Sequence, residues 1–227
     1  MTPHVLDHAA WSALTGAHAH LAEGVGGARR YRSDVAPFAG LDPVRDAAAW
    51  ADLASVAAGR PVILFEGAPL GDALPAGWRV LEELAGVQLV AGPDLVGAPD
   101  DEVVVLGEDD VPDMLDLAGR TSPGPFLPGT RLLGTYLGIR REGRLVAMAG
   151  ERVRPPGYTE ISAVCTEPDS RGQGLAGRLV LAVVHGIRAR GDVPFLHATA
   201  TNPARRLYTR LGFVHRTDVT FTVLQAD

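Results

Sequence analysis

Within residues 7–23 the apolar positions Ala10, Leu14, Ala17 and Leu21 recur at helical spacing, so an amphipathic helix is expected there, stopped by Gly24, Gly26 and Gly27. A second helix is expected over 43–57. Residues 61–65 (P-V-I-L-F) form a short apolar run of strand type, and 87–90 reads as another. From 92 to 101 the chain turns rich in Gly, Pro and Asp with few residues able to pack. A boundary is expected there, dividing the chain into a smaller α/β N-terminal subdomain, 1–100, and a second unit, 101–227.

The second unit has a more regular pattern. Residues 102–106 read as a strand, and 109–118 as a helix whose acidic start suits the positive end of its dipole. Pro123, Pro125 and Pro128 interleave with Gly124, Gly129 and Gly134, so 120–134 is expected to be a loop. Apolar runs at 136–141 and 144–153 flank Glu142-Gly143, the pattern of a hairpin. A strand over 158–166, a glycine loop and a long helix to about 190 follow. The chain closes with a strand at 194–201, a helix at 203–211 with Pro in its first turn, and strand over 214–224. The fold class is therefore α/β.

Composition narrows the chemistry. Apolar residues make up 46% and charged residues 21% of the 227, ordinary globular usage, so neither disorder nor a membrane class is indicated. The net charge of -6 argues against a nucleic-acid partner and suits a cationic substrate better. Every basic side chain is Arg, because no Lys occurs, which excludes Schiff-base and P-loop lysine chemistry. The single cysteine, Cys165, can form neither an internal disulfide nor a cysteine cluster. With no charged leader and no apolar run of spanning length, a cytoplasmic location is expected.

The stretch from Arg171 to Arg178 reads RGQGLAGR and contains G-x-G-x-x-G from Gly172 to Gly177. Glycines opening a helix let backbone N–H groups approach a pyrophosphate, whether of a dinucleotide or of coenzyme A. A dinucleotide fold would need an acidic residue at the end of the next strand. That strand ends in Thr199-Ala200-Thr201-Asn202, and only about fifty residues follow Gly177. The nicotinamide reading loses. The segment V-C-T-E-P-D-S-R-G-Q-G-L-A, ending at Ala176, instead resembles the coenzyme motif of the GNAT superfamily of acyl-CoA-dependent N-acyltransferases, with Arg171, Gly174 and Ala176 at its defining positions. A second motif follows: N-P-A-R-R-L-Y-T-R-L-G-F, from Asn202 to Phe213, resembles the later helix of the same superfamily. The resemblance covers about 102–224 and implies a mixed, splayed sheet flanked by helices. Residues 1–100 are then either a degenerate copy of that unit or an extension covering the acceptor pocket.

The resemblance implies transfer of an acetyl group from acetyl-CoA to a primary amine by direct attack in a ternary complex. A non-catalytic acyl-CoA sensor is the alternative. It implies that the backbone of Val164, Cys165 and Thr166 holds the pantetheine arm, and that Arg171, Gly172, Gln173, Gly174, Leu175, Ala176 and Gly177 surround the pyrophosphate. Tyr208 takes the place of the general acid that protonates the leaving thiolate. For the base Glu160 is the first candidate and His197 the other. Asn202 stands six residues before Tyr208, one fewer than in the family pattern; Thr201 then takes the Asn position, and a coenzyme contact from Asn202 is in question. Phe126, Arg131 and Tyr136, after the first strand of the unit, are expected to line the acceptor site, with Glu151 either meeting a cationic acceptor or facing water. Cys165 is expected to be a small buried strand residue rather than a nucleophile. Of His4, His8, His18 and His20 only the first two lie one helical turn apart, so no metal is expected.

Overall fold

The computed structural model describes residues 4–71 and 74–227. The expected first helix is short: a single 3-10 turn, Val5–His8, leads into α1, Ala9–Leu14. It stops because the Thr15 hydroxyl folds back onto the Trp11 carbonyl (2.8 Å) and Gly16 follows. The chain then passes a 3-10 turn, Ala19–Leu21, into β1, Ala22–Glu23, which pairs with β2, Ala28–Tyr31. β3, Ala39–Leu41, completes a three-stranded antiparallel sheet. α1 lies so close to β3 that a Cβ on Gly40 would stand 2.5 Å from the Trp11 nitrogen, so only glycine fits.

α2, Ala47–Ala57, begins four residues later than the apolar pattern suggests. Asp42 first takes the Val44 N–H in a turn, and Asp46 then caps the helix by accepting from Ala49 N (2.9 Å). Its buried face is Ala49, Trp50, Leu53 and Ala57.

The main sheet has eight strands in the order β4-β11-β5-β10-β9-β8-β7-β6. These are β4, Val62–Glu66; β5, Trp78–Ala91; β6, Val103–Val105; β7, Tyr136–Arg141; β8, Arg144–Glu151; β9, Tyr158–Thr166; β10, Val193–Thr199; and β11, Phe213–Ala226. β9 and β10 run parallel and every other neighbour pair is antiparallel. β5 lies between β10 and β11, pairing with both. The expected division near 92–101 therefore does not separate two sheets, because residues 62–91 supply two strands to the sheet of the second half. Nor is 92–101 a free linker. It straps α4, Leu175–Ala189, with Ala98 N donating to Leu181 O (3.2 Å) and Arg178 gripping Asp100 through two 2.6 Å bonds.

α4 packs its apolar face, Leu179, Val180, Val183, Val184 and Ile187, onto Ile139, Ala147, Ile161 and Leu196. Each aliphatic side chain of that size contributes roughly 1.5–3 kcal/mol on burial. α3, Val111–Thr121, covers β7 to β9 through Met114 and Leu117, which meet Tyr136, Met148 and Cys165. α5, Arg205–Leu211, follows β10. Among the described residues no helix is long and apolar enough to cross a membrane.

Candidate active site

β9 and β10 pair only where Tyr158, Thr159 and Glu160 meet Val193, Pro194 and Phe195. Beyond Glu160 the strands diverge, β9 staying with β8 and β10 with β5. A bulge between Met148 and Gly150 in the β8–β9 register coincides with Ala163, whose φ of 52° lies in the left-handed region. The opened strands leave backbone groups of β9 without a strand partner on the β10 side.

An open groove of about 640 Å³ begins there. Val164, Cys165 and Thr166 border it, together with Thr121 and Ser122 at the α3 end and Asn202, Leu207 and Arg210. Gly172 (φ 80°) and Gly174 (φ 76°) shape the loop that enters α4, and no side chain caps that helix. Its first N–H groups therefore present the positive end of a 15-residue helix to the groove. The Thr166 hydroxyl is buried there without a hydrogen-bond partner among the described residues. Arg171, which donates to Thr166 O (3.2 Å), and Arg210 form no ion pair among the described residues. Glu167, buried just before the loop, accepts from both Arg120 and Arg144 and ties α3 and β8 to the strand end.

The expected coenzyme residues Val164, Cys165, Thr166, Arg171, Gly172, Gly174, Leu175, Ala176, Gly177 and Asn202 all line this groove, and Gln173 sits in the same loop. Asn202 also turns its side-chain oxygen to Ala204 N (2.8 Å), so that oxygen is engaged at the start of α5. The sequence pattern missed Thr121, Ser122, Leu207 and Arg210. The last two stand three residues apart on one face of α5, a spacing that could have found them.

Tyr208 is 6% exposed and stacks edge-on against Phe213. Burial first, and Cys165 second, push its phenol up to about 12, so it is a neutral proton donor at pH 7 with the border of the groove as its neighbour. Burial also raises the Cys165 thiol, which keeps it protonated and inert as a nucleophile.

Glu160 departs from its expected role. It is fully buried, and its carboxylate accepts from Arg152 Nε (2.9 Å), Arg152 Nη2 and His197 Nδ1 (2.7 Å). Burial opposes ionisation, yet Arg152 and then His197 overcome it and hold the carboxyl at about 2. A carboxylate so bound takes no proton from an amine near neutral pH. It instead fixes His197: Nδ1 donates to Glu160, and Nε2 accepts from Gln88 Nε2 (2.9 Å), which also donates to Leu6 O. Arg152 lies over Phe38 and Phe65, 4.7 and 5.4 Å from their ring centres.

The expected acceptor contacts do not meet at a cleft. Tyr136 is 1% exposed, packed on Gly150 and on the ring of Phe126. The 122–134 loop docks on the N-terminal half instead, with Gly129 N donating to Asp34 O (2.8 Å) and the Thr130 hydroxyl to Val35 O (2.7 Å). Arg131 is half-buried in the 3-10 turn Thr130–Leu133. Glu151 is buried and paired with Arg190 (2.7 Å), so it neither faces water nor reaches an acceptor. Among the histidines, His18 bonds the Tyr31 hydroxyl (2.9 Å), and burial lowers it to about 4.

The family model for FR47-like proteins matches residues 136–222. A crystal structure from the GNAT family of Novosphingobium aromaticivorans DSM 12444 is 41% identical, covers 99% of this chain and 100% of its own, and superposes with a TM-score of 0.91. This chain belongs to the GNAT family. The mycothiol acetyltransferase of Thermomonospora curvata is 35% identical over 100 residues, 43% of this chain and 32% of that protein. The chain thus spans about a third of the length of that curated relative. A GCN5-related N-acetyltransferase from Kribbella flavida, 22% identical over 96% of this chain and 93% of its own with a TM-score of 0.62, shares the fold.

Proposed function

We propose that this GNAT protein transfers an acetyl group from acetyl-CoA to a primary amine by direct attack within a ternary complex. The observation that carries the reading is the groove, where an uncapped helix N-terminus surrounds free backbone of β9 together with two arginines and a buried hydroxyl that have no carboxylate or hydrogen-bond partner among the described residues. In a chain of net charge -6, that local positive surface suits a polyanionic coenzyme. The pyrophosphate would rest on the N–H groups from Gly172 to Gly177, and the pantetheine would run along Val164 to Thr166 toward the splay.

In the chemical step the neutral amine nitrogen attacks the thioester carbonyl, and the carbon–sulfur bond breaks. The Tyr208 phenol gives its proton to the departing thiolate, and the excess proton of the amine leaves to water, because Gln88 already occupies His197 Nε2. Glu160 orients His197 and does not itself accept the proton. The test is calorimetric titration with acetyl-CoA, with NADH in parallel and Gly174→Glu as a blocked loop. Micromolar binding of acetyl-CoA alone, lost in the variant, supports the reading. A folded protein that ignores acetyl-CoA withdraws it.

A further inference from the structure

On the far side of His197 from β9 lies a second pocket, of about 290 Å³. Its walls come from the N-terminal turn, the end of β4, and β5 and β11, with Leu6, Ala9, Phe65 and Val219 supplying apolar surface. His197 is the one β10 residue that lines it, and its Nδ1 bond to Glu160 reaches back to β9 where the splay begins. A narrow extension of about 20 Å³ continues past Arg45 and Glu66 toward Trp11 and Gly40.

The charges in this pocket come as two opposed pairs. At one end Arg45 Nη1 bonds Glu66, and at the other Arg216 bonds Asp7 (2.5 Å) and Gln88 (2.8 Å). Neither end is saturated. A guanidinium has five N–H donors, and Arg45 engages one. His8 Nδ1 is buried with no hydrogen-bond partner among the described residues and lines the same pocket as Arg45. Burial first, and Arg45 second, hold the His8 imidazole below its ordinary value, so it is neutral at pH 7. Unmet hydrogen-bonding capacity of this kind, in a cleft lined by both charged pairs and apolar side chains, marks a place where a polar ligand replaces water.

We infer that this pocket takes the acceptor, and that the acceptor is a small primary amine that also carries a carboxylate. The carboxylate meets the free donors of Arg45 beside His8, and the amine end lies toward His197 and the splay. The volume fits a molecule of amino-acid size and excludes a folded partner. A simple cation would face two arginines, and a simple anion two carboxylates; a zwitterion matches both. The inference rests on the acetyl-transfer reading for its chemistry, but the pocket can be probed without it.

Thiol release from acetyl-CoA is measured with glycine, β-alanine and γ-aminobutyrate, and with ethylamine, propylamine and butylamine as partners lacking the carboxylate. The zwitterions are expected to exceed the plain amines in kcat/KM by roughly tenfold or more, the worth of one charge-assisted bond. The Arg45→Gln/Glu66→Gln double variant removes both charges together and leaves no unpaired buried carboxylate; circular dichroism checks its fold. It should raise KM for the zwitterion roughly tenfold while calorimetric binding of acetyl-CoA stays unchanged. Calorimetry with β-alanine and glycine on the protein alone reads the pocket even if no amine is acetylated. Plain amines as good as zwitterions, or no zwitterion binding while acetyl-CoA still binds, overturns the pocket assignment. Loss of acetyl-CoA binding to the native protein would instead sink the transfer reading.

Discussion

Replacing Glu160 by Gln keeps its shape and removes its charge: the buried Arg152 guanidinium loses its carboxylate, and the amide offers one oxygen where the carboxylate offered two, so one of the Arg152 and His197 donors faces an NH2 group. A carboxyl held at about 2 instead of its ordinary 4.5 contributes roughly 3 kcal/mol to stability. Breaking a buried pair by removing one partner costs about 3–5 kcal/mol, which agrees. Because the folded pKa is depressed, this stability is fully present above pH 4.5 and is lost as pH falls toward 2. For a chain of this length each kcal/mol moves Tm by about 2–4 °C, so Glu160→Gln should melt roughly 6–12 °C lower at pH 7. Thermal melts of both proteins from pH 7 to pH 3 supply the check, and the gap should narrow on the acid side. The companion variant, Arg152→Met with Glu160→Met, leaves no lone charge and should recover most of the loss. A single variant melting within about 2 °C of the native protein at pH 7 would refute the reasoning. The kinetic corollary is separate: any acid limb of kcat near neutral pH persists in Glu160→Gln, because a carboxyl already ionised above about 2 does not produce it.

Tyr208→Phe should keep the fold and acetyl-CoA affinity yet lower kcat by roughly 100-fold, the low end for a lost general acid; kcat close to native would assign the phenol to packing. Gly150→Ala should lower Tm by several degrees, since its Cβ would stand 2.3 Å from Tyr136 Cδ1, and overpacking costs about 1–3 kcal/mol. A fragment of residues 101–227 should not fold, because it lacks β5, the strand between β10 and β11; a soluble fragment with a cooperative melt and acetyl-CoA binding would contradict the shared sheet.

The readable parts of this chain are those whose signal is local. β9 matches its expected bounds because alternation, a preceding glycine turn and the following proline turn all lie within a dozen residues. The β7–β8 hairpin follows from Glu142-Gly143, whose φ values of 51° and 80° are those of the tight turn that joins twisted strands. β5 was largely hidden. Its residues 79–85 are exposed and show no alternation, so only the buried end at Val87 and Leu89 looked like strand. Its pairing partner β11 lies more than a hundred residues away.

The same distinction explains why the coenzyme side was legible and the proton chemistry was not. The groove is built mainly from two continuous motifs, whereas the state of Glu160 is decided by Arg152, just past the end of β8, and His197 on β10. Part of that was within reach: Arg152 N donates to Glu160 O (3.0 Å) and Glu160 N to Val153 O (2.9 Å), a register that follows once the Pro155-Pro156-Gly157 turn is centred. His197 becomes interpretable only when β5 brings Gln88 beside it, since that amide takes up Nε2 and makes Nδ1 the donor. The strands β4 and β5 are part of the same eight-stranded sheet as the second half. Residues 62–91 supply the strand between β10 and β11 and the amide that takes up His197 Nε2, so the N-terminal half is joined to the strand that carries this histidine through the sheet itself.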